Sequence, residues 1–311
     1  MKKILPYISG LLFSTIFGFS FMFTKEVLEI IGPFQLMGYR FLIAALLVNI
    51  LWLFGVFKIN VKLEKIKYLF IIALAQPILY FIFETTGMNY TTSSEAGLLI
   101  SLIPVVVTIL AIFFLNEVPG KKQTIYIILS VAGVIFITIM KSSTEISGNF
   151  LGMALIGGAV IMAGIYNIMS RKMSVDFKPE VITYFMMTIA AVVFNIILLS
   201  SKTTTLSNYI VPLTNMKVLI PVIYLGVLSS VLAFFFVNYT LSKLPASQSA
   251  VFANFTTVVS ILAGVFIRNE PFYWFQIVGA VMIIIGVWGT NYYGKIKQQE
   301  TELKGWGDQI V

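Results

Sequence analysis

Ten apolar runs, each about twenty residues long, fall five and five into two halves that carry the same residues at fixed spacing. Gly18, Lys25 and Pro33 recur as Gly164, Arg171 and Pro179, a constant offset of 146. Asn116-Glu117, Gln123 and Gly133 recur as Asn269-Glu270, Gln276 and Gly286, now offset by 153. A unit of five spans ends on the opposite side of a membrane from where it began. The second copy is therefore expected upside down relative to the first. Inverted repeats that meet near the bilayer midplane are an architecture of secondary transporters.

The chain is 59% hydrophobic and only 11% charged, far below the roughly one-quarter charge of soluble domains. Lipid offers the backbone no hydrogen-bond partners, so spanning segments fold as helices or closed barrels. Alternating strands of about ten residues are absent, which leaves helices. With no cysteine and no histidine, thiol nucleophiles, disulfides, Cys/His metal sites and serine–histidine catalysis are excluded. The sequence offers no phosphate-binding loop and no paired aspartates, so an enzyme is not expected, and no cofactor or metal is implied. Met1-Lys2-Lys3 and the apolar run that follows resemble a signal peptide. The run lacks a small-residue cleavage site and reads as an uncleaved first helix.

The expected helices are 4–24, 33–56, 66–87, 92–115, 122–140, 150–170, 180–200, 217–240, 245–267 and 272–293. They give a first repeat over 1–141, a second, inverted repeat over 149–293, and a polar tail over 294–311 that reads as disordered. One set of connections holds fifteen Lys and Arg residues, the opposite set only five (Lys25, Lys141, Lys202, Lys217 and Arg268). The positive-inside rule then places both termini in the cytoplasm, with the chain in the cytoplasmic membrane. The same bias accounts for the net charge of +8 as a topology signal with affinity for anionic lipid, and a nucleic-acid partner is not expected.

At these residues the chain resembles the EamA-type members of the drug/metabolite transporter superfamily. The matching pattern reads Ser94-x-Ala96-x-Leu98 through Pro104, then Asn116-Glu117, Gln123 and Gly133. It returns as Ser247-x-Ser249 through Asn269-Glu270, Gln276 and Gly286, and Pro33 with Arg40 also fits. The halves differ where Pro104 is matched by Thr257 and Arg40 by Met186. The resemblance covers 4–293 and implies alternating access around a cavity between two five-helix repeats. Exporters of amino acids, purines and other metabolites occur in such a family, so the substrate stays open.

A charge inside a span costs at least roughly 2.5–3.5 kcal/mol, so each needs a reason. Arg40, Glu84 and Glu95 fall at comparable depth in one half of the bilayer. They read as a cluster lining a vestibule, with one carboxylate able to exchange a proton; a structural ion pair is the competing account. Glu84 and Glu95 map to Val237 and Gln248, so the charge is restricted to one repeat. Glu117 and Glu270 recur and read as structural, each near a helix junction and capping the next helix. Gly133 and Gly286 read as sites of close helix packing. Gln76, Tyr80 and Asn254 are the leading substrate-binding candidates, followed by Ser14, Tyr166, Asn167, Asn238 and Gln248. Gln76-Pro77 adds a proline that frees a carbonyl in mid-helix, and broken helices are where carriers place substrate contacts.

The sequence thus describes an all-α integral membrane protein with ten spans. It reads as a secondary transporter moving a small metabolite, an amino acid or similar, by alternating access, and as an exporter. A channel or uniporter, or a membrane interaction protein without flux, is the alternative. One chain holds both halves of a pathway, so a monomer suffices.

Overall fold

The computed structural model describes residues 4–61, 63–88, 90, 99–141, 150–200, 206–268 and 272–307. All regular structure among them is helical. We number the helices α1 Leu5–Leu28, α2 Pro33–Leu53, α3 Ile66–Gly87, α4 Ile103–Leu115 and α5 Lys121–Lys141. There follow α6 Phe150–Met173, α7 Pro179–Ser200, α8 Met216–Lys243, α9 Ala246–Ile267 and α10 Trp274–Gly307. Among the described residues nine helices are long and apolar enough to cross a membrane, and α4 is a shorter apolar helix.

Local chemistry sets the ends. Pro33 and Pro179 open α2 and α7, where a missing N–H costs nothing and the ring's φ is already helical. Asn116 closes α4 in the left-handed conformation at φ 55°, which asparagine tolerates better than most residues. That turn directs Glu117 off the α4 axis.

The third helix of each half departs from α-helical geometry in its middle. In α3, a π-helical turn spans Leu74–Leu79, with Gln76 extended at φ −147° and ψ 127° before Pro77. Proline disfavours the helical conformation in the residue before it. In α8, the π-helical stretch covers Tyr224–Leu232, just past Pro221. Such π-turns are frequent at functional sites.

Helices in lipid associate through close packing of small residues, and here glycines set the register. A Cβ on Gly286 would lie 2.6 Å from the backbone N of Ser130, and one on Gly133 would lie 2.8 Å from the Gly279 carbonyl. Gly289 faces Tyr126, and Gly279 faces Ile137. As the number rises along α5 it falls along α10, so these equivalent helices cross antiparallel. The same holds for α2 and α7. Asn195 Nδ2 donates to the Gly38 carbonyl at 3.1 Å, Phe41 stacks on Phe194 at 5.3 Å, and Tyr184 Oη donates to Asn49 Oδ1 at 2.9 Å. The first helix of each half packs on the fourth of the other: Gly10 and Gly18 of α1 face Phe252 and Val259, and Gly164 of α6 faces Val106 and Leu110.

Several expected boundaries change. Helices α1 and α6 run on to Leu28 and Met173, so Arg171 belongs to the last turn of a helix rather than to a connection. The tail expected to be disordered continues α10 to Gly307. Of the expected span 92–115, residues 92–98 lie outside the described residues. The long connection between α7 and α8 carries a helical turn at Leu206–Ile210 and a 3-10 turn at Val211–Thr214.

Candidate functional site

Both π-turns converge on the second helix of the opposite half, and the α8 turn does so at Arg40. The Arg40 side chain is buried, with 4% exposure. Its Nε donates to Ser230 Oγ at 2.7 Å and its Nη2 to Ser229 Oγ at 3.0 Å. The guanidinium carbon lies 4.9 Å from the Phe81 ring centre and 5.6 Å from that of Phe41, within cation–π range. On α3, Tyr80 Oη donates to Glu84 Oε1 at 3.1 Å. Glu84 is near enough for its charge to act on Arg40, yet the two form no ion pair among the described residues. Glu84 keeps part of its surface accessible. Gln76, one turn before Tyr80, is likewise partly accessible and its amide has no hydrogen-bond partner among the described residues.

The sequence grouped Arg40 with Glu84 and Glu95 and named Gln76 and Tyr80 separately as solute contacts; the structure joins Tyr80 to Glu84 and gives Arg40 two serines rather than a carboxylate. Ser230 was not singled out; the Ser-Ser pair inside an apolar run was its signal. Glu95 lies outside the described residues.

The other candidates are distributed differently. Asn238 Oδ1 accepts from Tyr166 Oη at 3.0 Å and Ser170 Oγ at 2.7 Å, while its Nδ2 donates to Thr183 Oγ1 at 3.0 Å. This buried network ties α6, α7 and α8, and it leaves little polar capacity for a solute. Asn167 Nδ2 donates to the Ala163 carbonyl in its own helix at 2.8 Å. Ser14 Oγ donates to the Phe252 carbonyl at 2.6 Å, covering a carbonyl beside the Val251 break in α9. Asn254 Nδ2 donates to Ser130 Oγ at 3.1 Å, which joins α9 to α5 away from Arg40. Gln248 packs on Gly294, and its Oε1 is buried without a partner among the described residues, as is Ser249 Oγ.

A second polar centre lies on the Lys/Arg-rich face. Glu117 Oε1 accepts from Arg171 Nε at 2.8 Å, and its Oε2 accepts from the Ala246 N–H at 2.7 Å. Arg171 Nη1 also donates to the Leu241 carbonyl at 3.0 Å. Glu117 therefore caps α9 of the other half, not the next helix as expected. The next helix has its own cap: Gln123 Oε1 accepts from the Gly120 N–H at 3.3 Å, and Gln276 Oε1 accepts from the Tyr273 N–H at 2.9 Å. In both, a Gln at the third helical position reaches back to the capping residue, as in a capping box. That explains why this Gln recurs. Lys65 also pairs with Asp176 on the same face, again between halves. Glu270 lies outside the described residues.

An apolar groove of about 350 Å³ lies among Tyr7, Leu11, Phe252, Phe255 and Trp288. Leu11, Trp288 and Tyr292 on its rim are exposed on the outside of the bundle, so it faces lipid.

The family model for EamA-like transporters matches the chain twice, over residues 4–139 and 150–292. The chain belongs to the EamA-like transporter family. It is a multi-pass membrane transporter rather than an enzyme. Its similarity to YcxC, an uncharacterized transporter of Bacillus subtilis, is 37% identity over 92% of both chains. A second Bacillus subtilis transporter, YyaM, is 28% identical over 92% of this chain and 93% of its own, and one from Archaeoglobus fulgidus is 24% identical over 88% and 94%. A solved crystal structure superposes with a TM-score of 0.77 at 15% identity, covering 94% of this chain and 96% of the other. That likeness concerns the fold.

Proposed function

We propose that this EamA-family chain is a secondary transporter of a small metabolite, an amino acid or similar, working by alternating access between two inverted five-helix repeats. The single observation that carries the reading is the meeting of two helices from opposite halves, each with a π-helical turn and one interrupted at Gln76, around a buried arginine. Broken helices at a repeat interface are where carriers hold solutes. The antiparallel crossings of α5 with α10 and of α2 with α7 support the inversion, because equivalent helices of inverted repeats run in opposite senses. The Lys/Arg bias supports cytoplasmic termini in the cytoplasmic membrane, and export is the direction we propose.

Closure at the Lys/Arg-rich face supports alternating access. Glu117–Arg171 and Lys65–Asp176 each join one half to the other there. Gln248 and Ser249 sit just past the capped Ala246 with unpartnered buried atoms. A buried polar group without a partner costs about 1–3 kcal/mol. Parting the two halves at this face would hydrate both residues and offset the loss of the ion pairs. Glu84 is the proton-exchanging candidate in this scheme, with Arg40 setting its electrostatic surroundings. The protein would act as a monomer, with lipid in the α1–α9–α10 groove.

Reconstituted protein in proteoliposomes tests the reading with a panel of amino acids, nucleobases and sugars, with and without a pH gradient. Saturable flux with counterflow is expected. Non-saturating conductance would favour a channel, and absence of flux for every solute would favour an interaction role.

A further inference from the structure

We infer that the Arg40 guanidinium is the subsite for a carboxylate group of the transported solute; the inference rests on the transport reading above. A guanidinium has five N–H donors in a fixed fork. Ser229 and Ser230 take two of them, on Nη2 and Nε. The remaining three, both on Nη1 and one on Nη2, have no partner among the described residues. These unused donors form the end of the fork, the edge that grips a carboxylate through two parallel bonds.

The surroundings narrow the ligand. Among the described residues, the groups bonded to or stacked on the guanidinium are neutral: two hydroxyls and the faces of Phe41 and Phe81. A buried cation without a touching counter-ion is costly, and an incoming anion removes that cost. Glu84 lies close enough to repel a second negative charge, which disfavours a dianionic phosphate and favours a single carboxylate. Glu84 also offers an acceptor to an ammonium on the same solute. Two sources share this chemistry, a zwitterionic amino acid and a plain monocarboxylate.

The test uses the purified full chain in detergent. Thermal shifts are measured with the standard amino acids and with propionate, lactate and 2-oxobutyrate, beside sugars, nucleobases and quaternary amines. The strongest carboxylate ligand is then compared with its methyl ester and its amide in wild type, Arg40→Lys and Arg40→Gln. Wild type should prefer the free acid by at least about tenfold, about 1.4 kcal/mol. Arg40→Gln should bind acid and ester equally, and Arg40→Lys should fall between. If an amino acid is the strongest ligand, Glu84→Gln should abolish its advantage over the deaminated acid; if a monocarboxylate is, Glu84→Gln should leave its affinity unchanged or raise it. Equal binding of acid and ester by wild type overturns the assignment, even if Arg40→Gln fails to fold, and so does a preference that survives Arg40→Gln. Binding of only sugars, nucleobases or amines overturns it while leaving the transport reading intact. No binding and no flux for any solute overturns both.

Discussion

Glu117 and Arg171 come from opposite halves of the chain and meet at 2.8 Å, and the same carboxylate caps α9 through the Ala246 N–H. With Arg171 also donating to the Leu241 carbonyl, the two side chains hold the ends of α4, α6, α8 and α9 together. The pair is partly exposed, so its worth lies between that of a surface and a buried ion pair. Replacing Glu117 with Gln should lower stability by roughly 1–3 kcal/mol, read as a fall in Tm in detergent. The swap Glu117→Arg with Arg171→Glu should recover only part of it, because arginine cannot accept from the Ala246 N–H. Full recovery would show that the cap contributes nothing.

The glycines of the α5–α10 crossing separate packing from propensity. Gly286→Ala places a methyl 2.6 Å from Ser130 backbone, whereas Gly157→Ala meets nothing within 4 Å. Overpacking costs typically about 1–3 kcal/mol, while alanine in place of a helical glycine gains about 1 kcal/mol. The two variants should move the unfolding temperature in opposite directions.

The capping role of the recurring glutamines is local. Gln123→Ala and Gln276→Ala should each cost about 0.5–2 kcal/mol. Hydrogen exchange should quicken in the first turns of α5 and α10 and stay unchanged at their centres. Uniform acceleration along both helices would count against the capping boxes.

Proton exchange at Glu84 has a direct readout. In proteoliposomes, Glu84→Gln should leave flux down a solute gradient measurable while removing the response to an imposed pH gradient. A pH response equal to wild type would assign coupling elsewhere.

Much of this arrangement could be read from the sequence. Span positions follow from apolar length, and the break at Gln76-Pro77 follows from proline chemistry. Gly133 and Gly286 announced close packing because only a missing side chain lets backbones approach so closely. The rest depended on which helix faces which. Nothing local says that Glu117 reaches α9, because its partners lie 54 and 129 residues away. Asn254, Ser14 and Asn238 looked like solute ligands for the same reason: a polar residue in a span needs a partner, and composition does not reveal whether that partner is solute or protein. Ser230 escaped notice because a serine can bond within its own helix and needs no explanation in a span.

Glu29 and Val175 occupy equivalent places in the two halves, one just after α1 and the other just after α6, and both are exposed. The chain has no cysteine, so Glu29→Cys and Val175→Cys each supply a single thiol on a clean background. Labelling of intact cells with a membrane-impermeant maleimide decides the central claim. Inverted halves predict that Glu29→Cys is labelled from outside and Val175→Cys only after the membrane is permeabilised. Labelling of both from the same side would mean that the halves are inserted in one sense, and the shared solute site between inverted repeats would be lost.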